Sequence, residues 1–545
     1  MVSPGIKEES KSTLRSLGAH TVLLVLVSIV FWRAVTYPFI AGDWGILNQL
    51  QSRGSWEFLR SALSPADQLF FRPVGRLYLA GLYQVFGLNP FGYHVAALCI
   101  HVANCVLVAR TCTVLTGRPV PAWTAAMLYG VAVNVHLDPL LWAVGVYELS
   151  ATFFVLLSLR FFLADRLTAS SFTLLLALLS KEAAIFLVLL LVVLETRNGK
   201  FQGLPARIVF RLWRHLLVAG LYGFVKLAGV SPLMLEASHP YHVSRRAGLL
   251  VENAVLYGRW SLEALAPIKD SGVPEFWARM VLAGGKWPLV AAGIACAAAG
   301  IYFVRAKGQW GAPGCQCAIA AVAWAGLGIA TVLPLPNHRY QYYLTYSLPP
   351  LALLGVLAVE GILARIAVSR RVIVVLLASW VVAATWSSAA FFAEKDRSGL
   401  SARIEGTTDL VRKAYTVNMV SDGLRRIHRR LPAGTSLVFE GIDVWAFRKD
   451  SGPRVWYGED SIRVFDARFV RCEAGALVVR GAPESAVEVY MGGRADRREV
   501  LDDPERVLWF RGVDDHLVSV RLSEVRGQRC AHVGRSEDAD HLRRK

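Results

Sequence analysis

The sequence predicts an α-helical polytopic membrane protein with about 10–12 membrane helices and a small C-terminal α+β domain. Hydrophobic residues make up 54% of the 545 residues. The mean hydropathy is +0.42, and the charged residues lie between long apolar runs. Soluble domains keep a lower apolar fraction, because they need apolar side chains mainly for a core. Runs of about 20 apolar residues are long enough to cross a bilayer as helices.

The net charge of +18 does not indicate nucleic-acid binding. After residue 394 the chain is nearly balanced, with 28 Lys and Arg against 24 Asp and Glu. Most of the excess therefore lies among the apolar segments, where basic loops set topology and attract anionic headgroups. The sequence predicts membrane lipid, and no nucleic acid, as a partner.

The first apolar run begins at residue 17, and basic residues ahead of it place residues 1–16 in the cytoplasm. The run is long enough to span the membrane and lacks a signal-peptide cleavage site. It leads into an extracytoplasmic loop, residues 37–76. Helical spacing of apolar residues after Trp56 predicts an interfacial helix within that loop.

The apolar stretch 170–194 carries Lys181 and Glu182 at its centre. Both flanks are basic and therefore cytoplasmic, and one crossing cannot begin and end on the same side. Two half-length helices that meet at Lys181 would satisfy this pattern. They would place both charged side chains in a protein-lined cavity, where ionisable groups at membrane depth usually mark a functional site.

Further membrane helices are predicted wherever apolar runs are bounded by basic residues. They cover residues 91–114, 121–135, 139–164, 215–230, 287–304, 318–335, 347–366 and 372–392. Residues 248–267 are apolar on one side only. We interpret them as a helix that lies along the outer interface or packs within the bundle.

The membrane domain is predicted to cover residues 17–394, and residues 395–545 to form an extracytoplasmic soluble domain. This C-terminal part begins with a predicted helix over residues 409–431. Alternating apolar segments punctuated by Gly and Pro then predict strands. These strands cover residues 436–439, 461–470, 476–480 and 487–491.

The eight cysteines show no metal-binding pattern. Cys472 and Cys530 are the two cysteines of the C-terminal domain. They could form one disulfide if that domain lies in an oxidising compartment. The sequence leaves this pairing open, as it does the use of a divalent metal.

Polar and ionisable side chains gather at the predicted outer ends of the membrane helices, whereas the inner ends hold mainly Lys and Arg. A charged cavity that opens to one face fits an enzyme or a transporter. The residues predicted to line it are Arg72, His94, His136, Asp138, Glu148, Glu182, His338 and Tyr340.

Asp43 follows the first span and could take a proton from an attacking hydroxyl. The alternative is a turn residue at the span exit. Lys181 and Arg339 could hold a departing phosphate. Lys181 could instead pair with Glu182, and Arg339 could anchor lipid headgroups. His94 and His101 are seven residues apart, a spacing that favours packing over a zinc site.

Four ordered stretches resemble the GT-C superfamily of polytopic glycosyltransferases, in particular dolichyl-phosphate-mannose protein mannosyltransferases and their bacterial relatives. The stretches are AGDWG at 41–45, FRPV at 71–74 with FGLNPFGYH at 86–94, HLDPLLWAVGVYE at 136–148, and LLSKE at 178–182. Arg339 and Tyr340 are similar to a later Arg-Tyr element of the family. The resemblance covers roughly residues 15–395.

The resemblance implies an inverting hexosyltransferase that moves a monosaccharide from a polyprenyl-phosphate carrier to an acceptor hydroxyl on the extracytoplasmic face. It implies Asp43 as the catalytic base, and Lys181 and Arg339 as contacts to the donor phosphate. A multi-pass location in a bacterial inner membrane follows from the same resemblance. Protein, lipid and polysaccharide all remain open as acceptors, and neither a cofactor nor a metal is assigned.

Two other functions are compatible with the same residues. A transporter or flippase for a lipid-linked sugar would explain a charged cavity, but internal repeats of the kind seen in transporters are not evident. A non-catalytic membrane assembly protein would explain the C-terminal domain but not the one-sided set of buried charges. The sequence therefore favours the glycosyltransferase.

Overall fold

The computed structural model describes residues 4–65, 70–196, 204–228, 239–265, 313–473, 476–479, 499–501, 503 and 505–530. The first part of the chain is built of packed helices. Their bounds are α1 Pro4–Phe31, α2 Gly42–Leu63, α3 Pro73–Phe86, α4 Pro90–Thr116, α5 Pro119–Gly130, α6 Val133–Leu141, α7 Val146–Leu163, α8 Leu167–Ser180, α9 Phe186–Thr196, α10 Leu204–Ala228, α11 Ala247–Leu265, α12 Pro313–Ala330, α13 Leu348–Arg365 and α14 Arg370–Ser398.

Six helical segments in the described ranges are long and apolar enough to cross a membrane. The bent pair α5 and α6, whose axes differ by 55°, would make a seventh. The prediction of a polytopic helical protein with a small strand-containing C-terminal region is confirmed. The predicted span at 287–304 lies outside the described residues. The six segments are Leu17–Thr36, Pro90–Thr116, Ala143–Leu163, Ile208–Lys226, Leu348–Arg365 and Arg370–Ser401.

The predicted boundary between spans at Pro139 is wrong. Helix α6 runs through Pro139 to Leu141, and the next helix is preceded by a short 3₁₀ turn at Ala143–Gly145. Proline prevents one helical hydrogen bond but does not end a helix whose packing supports the following turn. The break comes instead at Trp142, and Gly145 permits the turn that follows, because a Cβ there would lie 2.4 Å from the Pro139 carbonyl oxygen.

The predicted break at Lys181 is confirmed. Helix α8 ends at Ser180, Lys181 is extended with φ −159° and ψ 134°, and a 3₁₀ turn at Glu182–Ile185 leads into α9. The stretch therefore consists of two half-length helices, α8 and α9, joined by this break. An interruption of this kind exposes polar backbone groups, so it is tolerated at membrane depth where protein surrounds it.

The C-terminal part contains helices α15 Leu410–Ile427 and α16 Ser451–Tyr457 and two small sheets. In the first sheet the order is β2-β1-β6-β7, with β1 parallel to β2 and β6, and β7 antiparallel to β6. The second sheet, β3-β4-β5, is antiparallel. The strands are β1 Ser436–Glu440, β2 Arg463–Asp466, β3 Val470–Glu473, β4 Ala476–Val479, β5 Glu499–Val500, β6 Val507–Val513 and β7 His516–Val520.

The helix predicted over 409–431 and the strands predicted at 436–439 and 476–480 correspond to observed elements. The segment 461–470 holds a shorter strand, because a 3₁₀ turn at Ala467–Phe469 interrupts it. The strand predicted at 487–491 lies outside the described residues. A disulfide joins Cys472 to Cys530 and fixes β3 to a helix over 522–530.

The C-terminal domain packs on the loop that follows the first membrane helix. The rings of Trp44 and Trp456 meet edge to face, with centroids 5.4 Å apart. The Ala41 N–H donates to the Ala446 carbonyl at 2.6 Å. Asp138 accepts hydrogen bonds from the Thr408 N–H at 2.8 Å and the Thr408 hydroxyl at 3.0 Å. These contacts hold the domain against the residues that flank Asp43 and against α6.

Candidate active site

Asp43 lies in the first turn of α2, where the positive end of the helix dipole stabilises a carboxylate. Its side chain is 2% exposed. The carboxylate accepts N–H bonds from Ile40 and Val144 at 2.9 Å each, and from Ala143 at 3.3 Å. Burial raises the pKa of Asp43 to about 7, against the opposing effect of these bonds. The residue is therefore a fixed carboxyl group that titrates near neutral pH.

A small apolar cavity adjoins one side of Asp43, between the first loop and the start of α4. Its walls belong to α2, α3 and the turn before α7, so the carboxyl group is one of few polar groups at its surface. The lining residues are Phe39, Asp43, Ile46, Leu47, Leu50, Leu79, Tyr93, Ala143 and Val144.

A second group of charges surrounds the break between α8 and α9. Lys181 forms an ion pair with Glu148 of α7, and their side chains are 8% and 4% exposed. The alternative of a Lys181–Glu182 pair is thereby excluded, since Glu182 instead accepts two bonds from Arg72, at 3.0 and 2.5 Å. We call Arg72, Glu148, Lys181 and Glu182 the charge cluster.

Aromatic rings and further polar groups line the charge cluster. The ammonium group of Lys181 lies 4.9 Å and 4.6 Å from the ring centres of Tyr342 and Tyr343. Cations are attracted to such ring faces. The Tyr343 hydroxyl forms a 3.0 Å hydrogen bond with His338 Nδ1. Burial, reinforced by the charges of Lys181 and Arg72, lowers the pKa of His338 to about 3, so this side chain is neutral.

Tyr147 connects the two parts of the site. The guanidinium of Arg72 lies 5.7 Å from its ring centre. Asp43 also acts electrostatically on Tyr147, as do Arg76 and Arg448. Gly75 gives this ring its space, because a Cβ there would lie 2.0 Å from a ring carbon. Asp43 and the charge cluster thus both act on one aromatic side chain.

Several residues predicted to line the cavity have other contacts. His94 bonds the Leu140 carbonyl at 3.0 Å, and His136 bonds the Tyr129 carbonyl at 2.9 Å. His101 packs against His136, with ring centres 4.3 Å apart, which agrees with the packing interpretation of the histidines. Asp138 accepts its two hydrogen bonds from Thr408 of the C-terminal domain.

Arg339 donates to Glu252 of α11 at 2.7 Å. Its neighbours, rather than its own guanidinium, approach the charge cluster. His338 contacts Tyr343, and the ring of Tyr340 stacks on Tyr342 with centres 5.4 Å apart.

Sequence reasoning missed Tyr147, Tyr342 and Tyr343, and also Lys226 of α10, whose charge acts on both Glu182 and Arg72. Apolar runs with isolated tyrosines resemble ordinary membrane helices, so only the Tyr-rich segment 340–346 carried a local signal. Among the described residues, no group of three or more His, Cys, Asp or Glu side chains has the arrangement of a metal site.

No protein-family model and no curated protein matches the chain. Two solved structures are similar to it. ArnT from Cupriavidus metallidurans bound to undecaprenyl phosphate shares 14% identity at a TM-score of 0.43, covering 84% of this chain and 86% of that chain. The apo state of the same protein gives 14% identity, a TM-score of 0.39, and coverage of 84% and 87%.

At this identity and these TM-scores, the similarity assigns no reaction, substrate or site residue to the present chain.

Proposed function

We propose that the protein is a membrane glycosyltransferase that moves a monosaccharide from a polyprenyl-phosphate carrier to an acceptor hydroxyl. The observation that carries this proposal is the break at Lys181. It brings two cations, Lys181 and Arg72, beside two carboxylates and a set of tyrosines, with the Lys181–Glu148 pair buried and the Arg72–Glu182 pair partly exposed. Charges at membrane depth are costly, and a lipid-linked phosphate is a ligand that needs them there.

The cations would serve the leaving phosphate. With no donor bound, Lys181 and Arg72 are neutralised by Glu148 and Glu182. A phosphate that enters between them would share these cations, which then stabilise the charge that develops as the bond from the anomeric carbon to the phosphate oxygen breaks. The tyrosine rings offer flat faces for a sugar. Arg339, paired with Glu252, is proposed as a second, more peripheral phosphate contact.

Asp43 is the proposed base. The acceptor oxygen attacks the anomeric carbon from the side opposite the phosphate, its proton passes to Asp43, and the carrier phosphate departs with the bonding electrons. A base is most effective when its pKa lies near the working pH, and the pKa of Asp43 is about 7. The three N–H bonds fix the direction of its oxygens. Attack from the opposite side inverts the anomeric configuration.

The extracytoplasmic position of the site is part of the proposal. The Cys472–Cys530 disulfide supports it, because disulfides form and persist in oxidising compartments. The C-terminal domain that carries this disulfide packs on Ala41 and Trp44, which flank Asp43. The same side of the membrane would therefore hold the acceptor.

The test is sugar transfer by purified, detergent-solubilised protein. The donors are undecaprenyl-phosphate-linked monosaccharides with labelled sugars, and the acceptor is solubilised cell-envelope extract. We expect transfer or donor hydrolysis by the wild type and its loss in Lys181→Ala. Lys395→Ala is the matched control, since Lys395 pairs with its neighbour Glu394 outside the site. Absence of turnover with every donor, together with movement of the donor across vesicle membranes, would favour a flippase instead.

A further inference from the structure

The contact between the Asp43 loop and the C-terminal domain has an unusual backbone on both sides. Ala41 has φ 49° and Arg448 has φ 54°. Residues other than glycine rarely adopt a positive φ. Such a backbone conformation persists where surrounding contacts enforce it. The Ala41 N–H bonds the carbonyl of Ala446, two residues before Arg448, at 2.6 Å. Residues held this way often belong to functional sites.

The side chain of Arg448 lies across the first turn of α2. A Cβ at Gly45 would lie 2.6 Å from both Cδ and Nε of Arg448 and 3.1 Å from its Cζ. Position 45 therefore leaves room for this arginine only because it is glycine. Gly45 is two residues from Asp43, so the Arg448 side chain packs on the same helical turn that carries the proposed base.

Arg448 also faces the tyrosine that connects the two parts of the site. Tyr147 interacts electrostatically with Arg448, and with Asp43, Arg72 and Arg76. Arg72 belongs to the charge cluster, whereas Arg448 packs on Gly45, in the helical turn of Asp43. Tyr147 therefore has charged groups of both parts of the site as neighbours.

We propose that Arg448 is an acceptor-binding residue that the C-terminal domain supplies to the active site. The inference rests on the proposed function, in which Asp43 receives the proton of the acceptor hydroxyl. The C-terminal domain packs on the residues that flank Asp43, through Trp456 on Trp44 and Arg448 on Gly45. An acceptor that approaches Asp43 from this side meets that domain. A guanidinium donates several N–H bonds to oxygen atoms, whether these belong to sugar hydroxyls, a carboxylate or a phosphate.

The experiment measures transfer from the labelled undecaprenyl-phosphate donor over a dilution series of solubilised cell-envelope extract. Arg448→Ala is compared with Lys449→Ala, which removes a cation from the next residue. Lys449 also has positive φ, but its ammonium lies over Trp445 at 4.5 Å. Gly45→Ala is the third variant. It displaces the Arg448 side chain and leaves both the arginine and Asp43 in the chain.

Arg448→Ala should raise the apparent KM for the extract about tenfold or more, since hydrogen bonds to a charged group are lost. Hydrolysis of the donor by water should stay within about twofold of wild type, because water needs no acceptor contact. Gly45→Ala should act in the same direction, and the double variant should be no worse than Arg448→Ala alone. Lys449→Ala should behave as wild type.

An unchanged KM in both Arg448→Ala and Gly45→Ala, with active wild type, would overturn the inference and leave the proposed function standing. An equal effect of Lys449→Ala, or a parallel loss of donor hydrolysis, would also overturn it. A wild type without any turnover would instead refute the proposed function. If Arg448→Ala fails to fold, Gly45→Ala decides the question, because it keeps every charged side chain.

Discussion

The charge cluster and the Asp43 loop hold their carboxylates in different ways. Glu148 and Glu182 are bound by side chains of other segments, Lys181 and Arg72. Asp43 is bound by three backbone N–H groups. Side-chain ion pairs can change partners when a charged ligand enters, whereas backbone donors move only with their loop. The first arrangement suits an anion that binds and leaves, and the second suits a group that must keep its position.

The replacement Asp43→Asn should have the largest effect and tests the second arrangement. Loss of a general base lowers the transfer rate by about 10²–10⁴-fold. The side-chain amide of the asparagine would also point its NH₂ group at backbone N–H groups that now bond the carboxylate. One hydrogen bond is then replaced by two facing donors, so the free energy of unfolding should fall by about 1–3 kcal/mol. The measurements are transfer rate and thermal unfolding on the same preparation. Full activity would remove Asp43 from the mechanism, and a stability loss without an activity loss would leave it a structural residue.

Breaking the Lys181–Glu148 pair tests the first arrangement. Lys181→Met leaves Glu148 buried beside an apolar chain, which should lower the free energy of unfolding by about 3–5 kcal/mol. The double variant with Glu148→Gln removes both charges and should recover most of that stability in denaturation experiments. Transfer should remain absent in both, because the phosphate has lost its cation. Recovery of transfer in the double variant would contradict the proposed role of Lys181.

Removal of the Cys472–Cys530 disulfide should destabilise the C-terminal domain, which packs beside Asp43, and should leave the charge cluster unchanged. Cys530→Ser opens a loop with a sequence separation of 58 residues, and loss of such a link costs about 2–4 kcal/mol. Limited proteolysis should therefore cut the C-terminal domain earlier. Binding of the labelled donor, which depends on the charge cluster, should not change. A loss of donor binding would show that the two regions are coupled.

The pH dependence should show opposite slopes for activity and stability. The transfer rate should rise about tenfold per pH unit up to pH 7, as Asp43 loses its proton. Burial raises the pKa of Asp43 from 3.8 to about 7 in the folded chain, so the folded state binds more protons between these values. The free energy of unfolding therefore falls as pH rises through this window. Thermal melts of Asp43→Asn should lack that component of the slope, and identical slopes would contradict it.

The break at Lys181 could be predicted because its cause is local. A charged pair in the middle of an apolar run, with basic residues at both ends, is inconsistent with a single straight crossing. The end of α6 could not be predicted in this way. Pro139 is a strong local signal, but the break comes at Trp142, and the turn that follows depends on the close approach of Gly145 to Pro139.

Partners of the candidate site residues also depended on the fold. Lys181 and Glu182 are adjacent, yet each pairs with a residue far away in sequence, Glu148 and Arg72. Adjacent side chains diverge from the backbone, so each reaches a different neighbouring segment. The contact of Arg448 with Gly45, on which its proposed role rests, lies beyond any local pattern, because it depends on how the C-terminal domain packs.

The sequence by itself determined the membrane character, the broken span and the strand-containing C-terminal part. Each of these depends on hydrophobic content, charge placement or residue alternation within a short window. Only the tertiary structure decided that Asp43 is buried among backbone donors, that Arg72 lies against Tyr147, and that the C-terminal domain packs on Trp44. These facts depend on contacts between segments far apart in the chain, which packing selects and local sequence does not encode.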